Sequence, residues 1–211
     1  ELTNGEIEIS DGMINGLCAE FSSKTEQEKD EIIQKLMTSP VMNVDFTNAS
    51  VNGKSAQVLV LASPCSDAAL YIGREKKGHK GVEGTPLENY AGTIIHDHDT
   101  TFYKYGTGHQ ECTQHDIRYL IGSIQNEPEL EWNKQMLELF RKMLHYRNSL
   151  PENEDLSPCT VSEFEEEYGR ILETAEKEYA DEPPGDYYRE GHNLFLRLRK
   201  YKENELLFLH D

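Results

Sequence analysis

The run Gly92-Thr93-Ile94-Ile95-His96-Asp97 is apolar up to its last two residues and closes on a carboxylate. Its length and β-branched content predict a short buried strand. A strand that delivers a carboxylate at its C-terminal end is how α/β folds set catalytic or metal-binding groups at a sheet edge. A second apolar stretch, Pro40-Val41-Met42-Asn43-Val44-Asp45-Phe46, carries another carboxylate, Asp45. Two strand-borne aspartates suggest a divalent-metal site for phosphodiester chemistry. No third carboxylate stands out in the pattern.

Working outward, Asn52-Gly53 is a strong hairpin signal, because both residues tolerate the positive φ of a type I′ turn. Strands are predicted at roughly 41–51, 55–63 and 68–74, with Ser63-Pro64-Cys65-Ser66-Asp67 as the second turn. Upstream, Ile9, Met13, Ile14, Leu17 and Phe21 are spaced for one helix face beginning at Ser10-Asp11. Thr25-Glu26-Gln27-Glu28 reads as a capping box for a helix whose apolar side is Ile32, Ile33, Leu36 and Met37. Pro40 stops it. Residues 76–84, rich in lysine and glycine, read as a mobile loop.

Thr85-Pro86 starts a short helix, and a further short helix near 100–105 and a strand near 109–112 follow the Asp97 strand. Helices are predicted at about 113–125, 129–148, 160–180 and 187–208. The expected fold class is α/β (α+β): a ribonuclease-H-like mixed sheet, an antiparallel meander plus parallel strands, with N-terminal helices and a long C-terminal helical subdomain. The expected divisions are 1–39, 40–125 and 126–211.

The 211 residues carry 21 basic and 39 acidic side chains, a net charge of −18, which argues against strong nucleic-acid binding by this piece alone. Basic residues concentrate in Arg74–Lys80 and Arg197–Lys202, while Pro151–Glu190 is densely acidic and reads as a solvated helix face. No apolar run reaches the length of a transmembrane helix, and no signal peptide opens the chain. Glu1 in place of Met points to a piece cut from a longer protein. Cys18, Cys65, Cys112 and Cys159 are scattered and read as reduced cytoplasmic thiols.

In a ribonuclease-H-like sheet the first and fourth strands lie side by side. Asp45 and Asp97 would then face each other ~4–7 Å apart. Carboxylates that close repel unless a proton or cation sits between them. Mg²⁺ takes oxygen ligands and completes its octahedron with water and phosphate. Two such ions can serve both the attacking and the leaving oxygen of an in-line displacement. The plainer alternative makes both aspartates turn or cap residues. Asp99, before Thr100-Thr101, reads as an N-cap. His96 and His98, alternating with Asp97 and Asp99, could suggest zinc or iron, but such sites usually draw ligands from several elements. His109, Cys112 and His115 have the spacing of half a zinc site without a nearby second half. A Cys-His nucleophile lacks an oxyanion hole, and no Walker loop, dinucleotide fingerprint or nucleophile elbow occurs.

The segment Tyr90-Ala91-Gly92-Thr93-Ile94-Ile95-His96-Asp97, the pair Phe102-Tyr103, and Cys112-x-x-His115-x-x-Arg118-x-Leu120 together resemble the catalytic core of the insertion-sequence-66 transposases. Val44-Asp45 with the hairpin Val51–Lys54 is similar to that family's first-aspartate strand. Tyr71–Glu75 with Lys77-Gly78-His79, Trp132–Met136 and His145–Asn148 extend the likeness. The resemblance covers most of residues 35–150 and is specific in combination.

It implies a bacterial DDE transposase of ribonuclease-H-like fold. Asp45 and Asp97 would be the first two catalytic and metal-binding acids, holding Mg²⁺ or Mn²⁺ in a two-metal site. His115, Arg118, Cys112, Arg74 and Lys77 would contact DNA phosphate or support the site. Partners would be transposon-end and target DNA, with self-association in a synaptic complex, no membrane, and a cytoplasmic, nucleoid-associated location. Two departures stand out. Asp116 occupies a position where an aliphatic residue is usual, which would weaken packing there. The family's Asn-Asn-x-x-Glu-Arg-like segment, bearing the third acid, is not found. The chain then reads as a central fragment, inactive by itself, whose site is completed by a glutamate outside it. One alternative is another ribonuclease-H-like nuclease or resolvase, completed by Glu190, Glu203 or Glu205. The other is a non-catalytic helical interaction module.

Overall fold

The computed structural model describes residues 10–151 and 154–210. Ile9, counted in the first helical pattern, lies outside them, as does Asp211. The chain divides into two compact units between Gly92 and Thr93.

The first unit begins with α1 (Asp11–Lys24) and α2 (Glu26–Thr38). Ser10 caps α1 by accepting the Met13 amide at 3.2 Å. The expected capping box at Thr25 does not form. Thr25 is the single residue between the helices, and its hydroxyl donates backward to the Phe21 carbonyl at 3.0 Å, closing α1 instead of opening α2. The apolar face of α1 is present but uncovered: Met13, Ile14, Leu17 and Phe21 are all exposed. In α2 Leu36 is fully buried.

Three strands follow, β1 (Val41–Val51), β2 (Lys54–Ser63) and β3 (Ala68–Arg74), paired antiparallel in the order β3-β2-β1. Asn52 (φ 52°) and Gly53 (φ 72°) both adopt the left-handed conformation the hairpin requires. That turn fixes the register, which sets Asp45 opposite Val60 and Val44 opposite Leu61. Met42, Val44, Leu59 and Leu61 are buried. Residues 76–84 differ from the expected mobile loop. Arg74 donates to the Lys80 carbonyl at 3.2 Å and the Glu83 carbonyl at 2.6 Å, wrapping the segment into the helical turn α3 (His79–Val82). Gly81 and Val82 are buried there. A Cβ on Gly81 would lie 2.4 Å from the Lys76 carbonyl oxygen, so only glycine fits. A 3-10 turn, Pro86–Asn89, leads to Tyr90, whose hydroxyl donates to the Ser39 carbonyl at 2.9 Å.

The second unit opens with β4 (Thr93–His96), a 3-10 turn (Phe102–Lys104) and β5 (Gly108–Glu111). The two strands run parallel, with His96 beside Glu111. Helices α4 (Thr113–Asn126), α5 (Trp132–Ser149), α6 (Pro158–Asp181) and α7 (Glu190–Lys200) follow. The final helix, expected unbroken to 208, ends at Tyr201 and resumes as α8 (Lys202–Glu205) and a 3-10 turn, Leu207–Leu209. The strand pairings, antiparallel in one unit and parallel in the other, make the fold mixed α/β, as the sequence predicts.

The helical core is built on Trp132, Met136, Phe140, Tyr168 and Leu198, each completely buried. Polar contacts fix how the helices meet. Glu178 near the end of α6 accepts the Glu131 and Trp132 amides at 3.0 and 3.1 Å, capping α5 from another helix. Glu127 accepts the Ser123 hydroxyl and the Tyr179 hydroxyl, both at 3.1 Å, linking the end of α4 to α6. Among the described residues no helix is long and apolar enough to cross a membrane.

Gly191 packs against this polar knot. A Cβ there would lie 1.9 Å from a Glu127 carboxylate oxygen and 2.7 Å from the Ser123 hydroxyl. Glycine to alanine in a helix ordinarily stabilises by about 1 kcal/mol. Gly191→Ala is expected to have the opposite sign and to cost about 1–3 kcal/mol in urea unfolding, because it overpacks a bonded network. Unchanged or increased stability would contradict this packing.

Candidate functional site

Asp45 lies in β1, half-buried, with the strand parity opposite to that of the buried Met42 and Val44. It belongs to the first unit. Asp97 belongs to the second, one residue beyond β4, and is also half-buried. Its carboxylate accepts the Asp99 amide at 3.0 Å, and Asp99 in turn accepts the Thr101 amide at 2.9 Å. These two side-chain turns hold the chain as it leaves the strand, while the N-cap of the following 3-10 turn is Thr101 and not the expected Asp99. One backbone amide, that of Asp99, thus holds the Asp97 carboxylate.

His96 anchors the strand end from beneath. It is 1% exposed, and its Nδ1 donates to the Asp97 carbonyl at 2.6 Å. Its ring packs edge-on to Tyr103 at 4.8 Å and beside His109 at 5.5 Å. Burial is the main reason its pKa falls from 6.5 to about 4, and the nearby His109 and Arg197 charges push the same way. The Asp97 carbonyl and carboxylate oppose the shift without cancelling it. His96 is therefore a neutral packing residue at physiological pH.

Next to it lies a cluster of acids without solvent. Glu111 at the end of β5, Asp116 in α4 and Glu205 in α8 each have 0% exposure. Arg197 from α7 is bonded to Glu111 Oε1, and the Tyr103 hydroxyl donates to the same oxygen at 2.5 Å. His98 Nε2 lies 2.8 Å from Asp116 Oδ1 and 3.7 Å from Glu111 Oε2. Arg197 also stacks on Tyr201 at 4.8 Å, and Tyr201 stacks on Tyr103 at 5.1 Å. Burial raises the Glu111 pKa and raises that of Glu205 well above the ordinary carboxylate range, with the Asp116 and Glu111 charges adding to the latter. Tyr103 is likewise raised, first by burial and then by its bond to Glu111, so it stays a donor. The ligand atoms of His98, Glu111 and Glu205 all lie within 4.8 Å of one another, the one such group of three or more potential metal-binding side chains among the described residues.

The segment that brings Glu205 here is hooked to the free edge of β5. The Gln110 amide donates to the Glu205 carbonyl at 3.1 Å and its oxygen accepts the Phe208 amide at 2.8 Å. Asn204 donates to the His109 carbonyl at 3.0 Å. These contacts hold the segment that follows the break at Tyr201 against β5.

The other sequence-predicted residues fall into separate places. Cys112 is half-buried and extends the β4 ladder, its amide donating to the His96 carbonyl at 2.8 Å. His115 is half-buried beside Tyr119, and Arg118 is exposed on α4. Lys77 is exposed, while Arg74 is engaged with carbonyls of its own loop. Glu190 and Glu203 are exposed, and of the three glutamates considered for a third acid only Glu205 enters the interior. Asp116, which stands where an aliphatic residue is usual, is fully buried and meets His98 through Oδ1. The basic stretch at 197–202 is largely spent within the unit: Arg197 on Glu111, Arg199 on Glu176 at 2.7 Å, and Lys202 on the Glu165 carbonyl at 3.2 Å. The roles of Glu111, Tyr103 and Arg197 are not marked in the sequence.

Two outcomes follow from this geometry. Arg197→Met leaves the Glu111 carboxylate buried without its cation and is expected to destabilise by about 3 kcal/mol in urea unfolding. A loss below about 0.5 kcal/mol would show that the pair contributes little. For His96, the unfolded chain binds a proton below pH 6.5 that the folded chain refuses until about pH 4. The neutral form's stability is therefore present in full above 6.5 and lost as pH falls toward 4, by up to about 3 kcal/mol. In thermal melts, His96→Gln should lose less melting temperature between pH 7 and pH 4.5 than the parent chain does. An equal loss would mean that His96 does not carry the acid sensitivity.

Comparison with known proteins places this architecture. Neither curated proteins nor solved structures give a match. The family model described as Transposase IS66 family matches residues 1–211, the whole chain, including both aspartate-bearing strands and the helices that follow them. The chain belongs to the IS66 family of transposases.

Proposed function

We propose that this chain is the catalytic-core portion of a DDE transposase that cleaves DNA at transposon ends and joins the freed 3′-hydroxyl to target DNA. Asp45 and Asp97 are the first two acids of the site. Their donor set suits Mg²⁺ or Mn²⁺, since both offer carboxylate oxygen from strand-held backbone. In this reading the third acid is a glutamate outside these 211 residues. The observation that carries the reading is the placement of Asp97 directly after β4, fixed by the Asp99 amide, in a chain whose whole length matches a transposase family.

When bound, the ions activate the attacking oxygen and stabilise the leaving one. The protein's own contribution is positional. Asp97 is aimed by the turn through Asp99 and Thr101 and backed by the neutral ring of His96. Exposed Arg118 on α4 and Lys77 are the groups assigned to DNA phosphate. Cys112 and His115 support the start of α4, and Arg74 shapes the loop that carries Lys77. Transposon-end and target DNA are the partners, with self-association in a synaptic complex. The net charge of −18 weighs against strong DNA binding by these 211 residues taken alone.

The test is strand cleavage by the full-length transposase on its own element's ends with Mg²⁺. Asp45→Asn and Asp97→Asn should each reduce cleavage by at least about 10³-fold while end binding stays within about threefold. Cleavage retained within tenfold in either variant would remove that aspartate from the site.

A further inference from the structure

We propose that His98, Glu111 and Glu205 form a binding site for a divalent transition-metal ion, a site whose ligands include neither Asp45 nor Asp97. The argument begins with charge. Glu111, Asp116 and Glu205 are all completely buried, and Arg197 is the cation bonded to the group. Three carboxylates thus meet one guanidinium and the His98 imidazole in a region without solvent, where charge must be matched by protons or by a further cation. A divalent cation held by the unpartnered oxygens is the second way.

The second observation is where donors are missing. Glu111 Oε1 is satisfied by Arg197 and Tyr103, but Glu111 Oε2, Asp116 Oδ2 and both oxygens of Glu205 receive no hydrogen bond. What Asp116 brings to Glu205 is another carboxylate, which can bond to it only if one of the two carries a proton. The vacant oxygens of Glu111 and Glu205 and the imidazole of His98 converge, their ligand atoms within 4.8 Å of one another. His98 Nε2 and Glu111 Oε2 are 3.7 Å apart, close to the roughly 3–3.5 Å that separates two ligands of one tetrahedral ion with bonds of about 2.1 Å.

One imidazole with carboxylates is a donor set for Zn²⁺, Mn²⁺ or Fe²⁺ rather than for Mg²⁺. Binding takes the His98 tautomer with its proton on Nδ1, and Asp116 then lies beside the bound nitrogen as a supporting acid or fourth ligand. The three ligands come from the turn after β4, from β5 and from α8. A metal here would staple the C-terminal segment to the end of the parallel strand pair, next to Asp97.

The probe is Zn²⁺ alone, titrated calorimetrically into the 211-residue chain carrying Asp45→Asn and Asp97→Asn, so that neither aspartate can contribute. The expected result is one equivalent bound, with affinity lowered at least about 100-fold by adding Glu205→Gln or His98→Gln. Zinc anomalous scattering from crystals of the unmutated chain gives a second readout that does not depend on any variant folding. A peak among His98, Glu111 and Glu205 is expected. No binding by the double variant, binding indifferent to Glu205→Gln and His98→Gln, or no peak among the three residues would overturn the proposal and leave a shared proton as what compensates the acids.

Discussion

The ion pair between Glu111 and Arg197 is the contact on which the second unit depends. It sits at the end of β5, fully shielded on the carboxylate side, and is shared with the Tyr103 hydroxyl. Through it the last strand, the 3-10 turn after β4 and helix α7 are held in one place. A buried pair of this kind contributes little net stability over an apolar substitute, but breaking it strands a charge. Its value is therefore register: it favours the approach of α7 to the strand pair that pairs Glu111 Oε1. The turn that follows β4, and with it Asp97, inherits its position from that arrangement.

The same logic recurs among the helices. An apolar core of Trp132, Phe140 and Tyr168 would tolerate several helix rotations at similar cost. The polar groups inside it would not. Glu178 caps α5 from α6, and Glu127 joins Ser123 on α4 to Tyr179 on α6 beneath Gly191. Burial raises the Glu127 pKa, with the two hydroxyls working against that shift by donating to the carboxylate. The hydrophobic residues supply the drive to collapse, and these acids select among the collapsed arrangements.

Much of this was legible in the sequence, for identifiable reasons. The hairpin at Asn52-Gly53 is a local matter of positive φ, and its reading fixes the register of β1 and β2. The short strand ending before Asp97 is likewise local, as are the helices from α4 to α6. What escaped reading is non-local. The hook between Gln110 and the Glu205–Phe208 segment joins residues nearly a hundred positions apart, and no periodicity announces it. Glu111, Asp116 and Glu205 look like surface acids in a chain with 39 acidic residues, and only the fold shows that they are enclosed. Residues 76–84 depart from the expected mobile loop because lysine and glycine usually mean solvent, whereas Gly81 is glycine because the backbone passes too close for any side chain.

The proposed two-metal chemistry requires Asp45 and Asp97 to be held rigidly, since a shared ion is sensitive to the position of each ligand. In this chain rigidity at Asp97 arises from the backbone turns after β4 and from the neutral, buried His96 beneath them. Asp45 has its register from the hairpin at the other end of β1. The most direct measurement of the central claim is Mn²⁺ anomalous diffraction from crystals of the chain, read at these two carboxylates. The account predicts a Mn²⁺ peak coordinated jointly by Asp45 and Asp97. Carboxylates that point apart at saturating Mn²⁺, with no peak between them, would contradict it.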